Sequence, residues 1–126
     1  MLTRHPITPK LLNMTLSIIV PCYNEEAVLH ETNARLTDVI KRMETKALID
    51  HGRIIYVNDG SADRTWQIIE ELAQADQHVG GLCLAHNVGH QQALWAGLEW
   101  AAAHSDAAIS IDADLQDDVE AIPQMV

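Results

Sequence analysis

The chain has few basic residues: 8 Lys and Arg stand against 18 Asp and Glu, which gives a formal net charge of −10 at pH 7. Proteins that bind nucleic acids neutralise phosphates with clustered Lys and Arg, so this balance argues against that class. An acidic chain can still bind a phosphorylated small molecule when a metal ion supplies the positive charge. A phosphate-bearing ligand would therefore require a cation here.

Cysteine is scarce, and long apolar runs are absent. Cys22 and Cys83 are too few and too far apart for a disulfide-stapled secreted domain, so we expect two buried free thiols in a reducing compartment. No stretch reaches the roughly 20 apolar residues of a membrane span. Residues 1–13 lack the apolar core of a signal peptide. We expect a cytoplasmic domain at residues 15–126, preceded by a leader at 1–14.

Two nucleotide-binding fingerprints are also absent. There is neither Gly-x-Gly-x-x-Gly after a strand nor Gly-x-x-x-x-Gly-Lys, so a Rossmann dinucleotide site and a P-loop lack support. Apolar runs instead alternate with segments of helical spacing, which predicts an α/β fold with an open, mainly parallel sheet and helices on both faces. The predicted strands are 16–20, 53–57, 79–85 and 107–111; the predicted helices are 26–45, 63–74, 90–104 and one beginning near Asp118.

Each predicted strand is followed by a polar segment, at 23–25, 58–61, 86–87 and 112–116. Because ligands bind outside the carboxyl ends of the strands in such sheets, we expect these loops to converge on one site. Purely structural roles also remain open for residues of these loops: Asn24 could cap a helix, and Asp59 could form a tight turn.

Two other kinds of site lack support. A nucleophilic role for Cys22 lacks a neighbouring base, and a zinc pair of His86 and His90 lacks a third ligand.

The strongest candidate for a metal site is the set Asp112, Asp114 and Gln116. Residues two apart in an extended segment point the same way, so these oxygen-bearing side chains could lie on one side of the segment. Mg²⁺ and Mn²⁺ prefer oxygen ligands, and Mg²⁺ is usually held by one or two carboxylates plus substrate phosphates. Asp-x-Asp alone is also common in solvated acidic loops. Its position directly after the apolar strand favours a metal that bridges to a diphosphate.

Four motifs stand in the order expected of family-2 glycosyltransferases, which the chain resembles from about residue 16 to residue 125. The branch it resembles most contains dolichyl-phosphate mannose synthases and bacterial polyprenyl-phosphate sugar transferases. This chain departs from the common pattern of the family at Asn58, at His86 and at Asp118. The motifs are VPCYNEE at 20–26, VNDGSAD at 57–63, NVGH at 87–90 with Ala93 and Gly97, and DADLQD at 112–117.

The resemblance implies a GT-A fold, a nucleotide-sandwich (Rossmann-like) α/β domain of which this chain is the nucleotide-binding half, truncated at its C-terminus. It implies transfer with inversion from a nucleotide sugar, a UDP- or GDP-hexose, with Mg²⁺ or Mn²⁺ as cofactor. It assigns nucleotide binding to Pro21, Tyr23, Glu25, Asp59 and Asp112, and metal binding to Asp112, Asp114 and Gln116.

The branch also implies a polyprenyl-phosphate acceptor. Such an acceptor is already an anion and needs no strong general base, and no catalytic residue is identified in this sequence. The acceptor-binding half and any membrane-anchoring helices are expected beyond residue 126. We expect the full-length protein at the cytoplasmic face of the inner membrane, in cell-envelope biosynthesis. A nucleotide-binding or regulatory fragment without transferase activity remains the alternative.

Overall fold

The computed structural model describes residues 14–114 and 119–125. Strands and helices alternate through this part of the chain, as predicted. In chain order they are β1 (Thr15–Cys22), α1 (Leu29–Thr45), β2 (His51–Asn58), α2 (Thr65–Ala75), β3 (Val79–Cys83), α3 (His90–His104), β4 (Ala107–Ser110), a 3₁₀ turn (Val119–Ala121) and α4 (Ile122–Met125).

The four strands form one sheet in the order β3-β2-β1-β4, and every neighbouring pair is parallel. The chain therefore moves outward from β1 through β2 to β3 and then returns to lay β4 on the other side of β1. Parallel sheets bind ligands at the carboxyl ends of the strands, at the point where the order of winding reverses. In this sheet that point lies between β1 and β4.

Both faces of the sheet are covered, because successive strand residues point to opposite sides. On one face Ile18 and Tyr56 pack in the main core with residues of α1 and α2. On the other face Ile19 and Val57 pack against α3. The apolar runs of β1 and β2 thus reflect burial on two sides, and the predicted α/β class with helices on both faces is confirmed.

Helix α3 approaches the sheet closely through its small residues. Ala93, Gly97 and Ala101 are its buried positions, and its bounds agree with the predicted helix at 90–104. A Cβ added at Gly97 would overlap the Cγ2 atom of Ile19 and stand 3.0 Å from that of Val57. The glycine therefore sets the spacing between this helix and the two central strands.

At the amino-terminal edge of the sheet, His78 connects two carboxylates. Its Nδ1 lies 2.8 Å from Asp76 Oδ1 and its Nε2 3.2 Å from Glu44 Oε1. The other oxygen of Glu44 accepts the backbone N–H of Gly52 at 3.0 Å. Burial lowers the pKa of His78, but these two carboxylates raise it above its ordinary value in the balance. This contact joins the end of α1 to the starts of β2 and β3.

Two sequence predictions are wrong in detail. Asn24 does not cap α1, which begins at Leu29 without a side-chain cap; its φ is +54°, and its side chain bonds instead to the loop after β2. Cys22 is buried as predicted, but Cys83 is exposed, because β3 lies at the edge of the described sheet. Both thiols are free. Within the described residues, no helix is both long and apolar enough to cross a bilayer.

Candidate functional site

A pocket lies at the carboxyl ends of the strands, where the polar loops were predicted to converge. It is open to solvent, and its cavity volume is about 170 Å³. Its walls come from the end of β1, the turn after β2, the loop before α3 and the first turn of α3. The lining residues are Pro21, Cys22, Tyr23, Glu25, Asp59, Asn87, Gly89, His90 and Ala93.

The loop after β1 is joined to the loop after β2 by several hydrogen bonds. Ser61 Oγ accepts the backbone N–H of Asn24 at 2.9 Å, and Asn24 Oδ1 accepts that of Ala62 at 2.8 Å. Thr65 Oγ1 accepts the backbone N–H of Glu25 at 2.8 Å. These bonds satisfy backbone donors that no helix or strand uses. They hold the segment that carries Tyr23 and Glu25 at the rim of the pocket.

Asp59 lies at the inner wall and is 3% exposed. Its Oδ1 accepts the backbone N–H of Val88 at 2.7 Å, and its Oδ2 accepts that of Gly89 at 3.1 Å. The side-chain amide of Asn87 donates to the same Oδ2 at 3.2 Å. Buried charge is stable only when it is hydrogen-bonded, and this carboxylate receives its donors from the loop before α3.

The loop after β4 carries the two aspartates of the Asp-x-Asp motif. Between them, the carbonyl of Ala113 accepts a hydrogen bond from Thr32 Oγ1 of α1 at 2.5 Å, which fastens the loop to the core. Asp112 Oδ1 stands 4.0 Å from His90 Nε2 in the pocket wall. The loop after β4 thus reaches the same site as the other three.

Negative charge accumulates at this edge. Burial raises the pKa of Glu25 above its ordinary value, and the charges of Asp114, Asp63 and Asp112 raise it further, in that order of size. Like charges raise a carboxyl pKa only when they lie close together. The motifs after β1, β2 and β4 therefore share one electrostatic environment.

The loop after β4 carries side chains of the chemical type that binds a hard cation. Asp112 and Asp114 offer carboxylate oxygens, the ligands that Mg²⁺ and Mn²⁺ prefer. Gln116, the third predicted ligand, lies outside the described residues. Within the part of the chain that is described, no three His, Cys, Asp or Glu side chains form a group that could hold a metal ion. The three-ligand site stays a prediction.

The surroundings of the buried Cys22 thiol disfavour a nucleophilic thiolate. It donates to the carbonyl of Val20 at 3.3 Å, and burial, with a smaller effect of the nearby Glu25, raises its pKa far above the ordinary range. A reactive cysteine needs the opposite, a lowered pKa beside positive charge.

The predicted nucleotide-binding residues Pro21, Tyr23, Glu25 and Asp59 line one pocket, and Asp112 stands beside it. Their contacts with a nucleotide stay predictions. The segment 86–87 was predicted to lie at this edge of the sheet, but the sequence assigned no nucleotide-binding role to Asn87, Gly89, His90 or Ala93. The position of the motif 87–90 directly before α3, whose buried residues are small, was the feature of the sequence that could have indicated a role in the site.

Comparison with known proteins identifies relatives across most of the chain. Residues 17–126 match the family model described as glycosyl transferase family 2. An uncharacterized glycosyltransferase of Bacillus subtilis, YkoT, is 51% identical over 108 residues, which are 85% of this chain and 32% of the relative. The bactoprenol glucosyl transferase of Shigella phage SfV is 40% identical over 116 residues, 90% of this chain and 34% of the relative. The chain spans about a third of the length of these relatives.

Solved structures show the same fold. The crystal structure of S. aureus TarS 1-349 in complex with UDP has a TM-score of 0.63 at 24% identity, over 80% of this chain and 28% of that one. The mannosyltransferase PcManGT from Pyrobaculum calidifontis, in complex with GDP-Man and Mn²⁺, has a TM-score of 0.66 at 19% identity, over 88% and 31%. The predicted GT-A fold is confirmed, with only part of those larger chains represented.

Proposed function

The chain belongs to glycosyl transferase family 2, and from that membership we propose that it is the nucleotide-sugar-binding part of a metal-dependent, inverting glycosyltransferase. The observation that carries the proposal is the pocket at the carboxyl ends of β1 and β2, with Asp112 beside it. In open parallel sheets this is where nucleotides bind. The relatives are about three times as long, so the whole protein's reaction belongs to the proposal as well.

The donor is a UDP- or GDP-hexose. Tyr23 is 50% exposed at the rim, where its ring offers a stacking surface for a base or ribose. Glu25 offers an acceptor for a base or ribose donor, and Pro21 forms an apolar part of the wall. Structural neighbours that contain UDP and GDP-Man support both nucleotide classes.

Asp112, Asp114 and Gln116 would hold the divalent cation, Mg²⁺ or Mn²⁺. When bound, the cation supplies the positive charge that stabilises a nucleoside diphosphate as a leaving group. The residues' own part is to present oxygen ligands from a loop that Thr32 fixes through the carbonyl of Ala113. Mn²⁺ in the structure of PcManGT supports the choice of metal.

The acceptor is a polyprenyl phosphate, and the full-length protein works at the cytoplasmic face of the inner membrane in cell-envelope biosynthesis. Support comes from the name of the phage relative, a bactoprenol glucosyl transferase. A phosphate acceptor attacks as an anion, so the reaction needs no strong general base from the protein. None was identified in this chain.

Titration calorimetry with UDP and with GDP, in the presence of Mn²⁺, tests the donor site. We expect one nucleotide to bind and Asp114→Asn to remove most of the Mn²⁺-dependent part of the affinity. Asp50→Asn is the matched control, because Asp50 is exposed and precedes β2 at the opposite edge of the sheet. Absence of binding by the unaltered chain, or equal losses in both variants, would refute the assignment.

A nucleotide-binding module without transferase activity is the second candidate, because the residues of the pocket suit a nucleotide and no catalytic residue is identified in this chain. Incubation with radiolabelled UDP-glucose and a short-chain polyprenyl phosphate separates the two. Labelled lipid supports a transferase. Binding of nucleotide without labelled lipid, by this chain and by a version extended to the length of its relatives, supports the module.

A further inference from the structure

Asp59 accepts hydrogen bonds from the loop that precedes α3. We propose that Asn87 and Asp59 act as a positioning pair that fixes one wall of the nucleotide pocket, so that Asp59 serves binding through the loop 87–89. The inference rests on the proposed function of the pocket. It assigns a role to Asn87, which the sequence places in a motif and in a loop expected at this edge of the sheet.

Asn87 makes two contacts with one residue. Its side-chain amide donates to the backbone carbonyl of Asp59 at 3.1 Å and to its carboxylate at 3.2 Å. The carboxylate also receives the backbone N–H groups of Val88 and Gly89. Three consecutive residues of the loop thus donate to one buried residue at the end of β2. Hydrogen bonds to a charged acceptor are about twice as strong as neutral ones.

The backbone around this pair is built for close approach. Gly60 has a φ of +67°, and a Cβ there would overlap the backbone nitrogen of Asn87. Gly89 has a φ of +98° and precedes the first residue of α3, with its carbonyl accepting the N–H of Ala93 at 3.0 Å. Glycine adopts both conformations without the penalty of a side chain. The loop can therefore lie directly on the turn after β2.

The pair positions the groups that face the ligand. Gly89 and His90 line the pocket, and His90 Nε2 stands 4.0 Å from Asp112 Oδ1. Asp59 itself is 3% exposed, and both of its carboxylate oxygens already accept donors from the loop. Asp59 thus lies at the inner wall of the pocket and also holds the loop that forms another part of the wall.

Substitutions that exchange the two groups test the pair. Asn87→Asp places two carboxylates against each other, so the loop should leave its position and the apparent Kd for the bound nucleotide should rise about tenfold or more. Adding Asp59→Asn to this variant removes the repulsion and restores one donor-acceptor contact. The double variant should therefore bind more tightly than Asn87→Asp alone. A directly and independently binding Asp59 predicts the reverse, a further loss.

The measurements are calorimetry with UDP or GDP and Mn²⁺, and amide hydrogen exchange at Val88 and Gly89 without nucleotide. We expect faster exchange at both amides in Asn87→Asp and slower exchange again in the double variant. Gln92→Ala, an exposed change in the first turn of α3, is the control and should alter neither quantity. Unfolding in urea verifies that each variant is folded.

The outcomes separate this inference from the proposed function. If the unaltered chain binds no nucleotide, the proposed function fails, while the exchange at Val88 and Gly89 still tests the pair. If the unaltered chain binds and Asn87→Asp binds equally well, or the double variant is weaker than Asn87→Asp, the pair does not position the pocket. Unchanged exchange in Asn87→Asp would overturn the proposal by itself.

Discussion

Replacing Gly97 by alanine tests how closely α3 packs on the sheet. In most helix interiors this change stabilises a protein, since alanine has the higher helix propensity by about 1 kcal/mol. Here the new methyl group would overlap Ile19 Cγ2 and stand 3.0 Å from Val57 Cγ2. Both neighbours are fully buried, β-branched and held in the two central strands, so they have little freedom to move aside.

The expected magnitude follows from these opposing effects. Overpacking a tight core by one methyl group costs about 1–3 kcal/mol, and the close overlap with Ile19 places this site in the upper part of that range. Subtracting the gain in helix propensity of about 1 kcal/mol leaves a net loss of roughly 1–2 kcal/mol in the free energy of unfolding. The steric effect therefore outweighs the intrinsic preference of the helix.

Urea denaturation followed by far-ultraviolet circular dichroism measures this loss. Ala96→Gly, at the neighbouring half-buried position, measures propensity with little packing and should also destabilise, by about 1 kcal/mol. Ile19→Leu removes the branched methyl group, so its combination with Gly97→Ala should cost less than the sum of the two single changes. A Gly97→Ala protein that is more stable than the unaltered chain would refute the close packing inferred here.

Further predictions concern thiols, pH and the turn after β2. In the folded chain a thiol reagent should modify Cys83, which is exposed, and reach Cys22 only after unfolding; a Cys83→Ser chain that still reacts rapidly would contradict this. Glu44→Gln should lower the free energy of unfolding by up to about 1 kcal/mol near pH 6 and by less near pH 9, measured by urea titration at both values. The loss is larger at the lower pH because folding raises the pKa of His78. The contribution of His78 to stability is complete below its unfolded pKa of about 6.5 and is lost as the pH rises through the folded pKa. An equal loss of stability at both pH values would argue against the contact between Glu44 and His78. Gly60→Ala should cost at least about 2 kcal/mol, because alanine is strained at a φ of +67° and its Cβ would overlap the facing loop; unchanged stability in urea would contradict that geometry.

Local patterns predicted the elements because each pattern reports burial on particular faces. The apolar runs of β1 and β2 are buried on both sides of the sheet. Helix α3 was predicted with its observed bounds, since a glycine precedes it and small residues recur along its buried face. Strand β3 was predicted although Gly80 and Gly81 disfavour a strand, and Gly81 has a packing reason: a Cβ there would stand 2.6 Å from Ile69 Cγ2 of α2.

The wrong or missing predictions depend on partners distant in sequence. Asn24 reads as a cap for the next helix, but its side chain finds Ala62, which lies 38 residues away. The exposure of Cys83 follows from the strand order, which local sequence does not determine. Asp59 reads as a turn residue or a base contact, while its donors lie 28–30 residues later in the chain.

The charge of the chain and the geometry of the pocket lead to one conclusion about the ligand. The net charge of −10 opposes the approach of an anion on average over the surface. At the pocket the opposition is stronger, because Glu25, partly buried, lies within the influence of Asp112 and Asp114. A nucleoside could bind there through stacking and hydrogen bonds alone, whereas its diphosphate would add negative charge beside these carboxylates. If the proposed function is right, we expect the selectivity for a nucleoside diphosphate over a nucleoside to come from a cation, because the carboxylates that oppose the diphosphate are of the kind that binds hard cations.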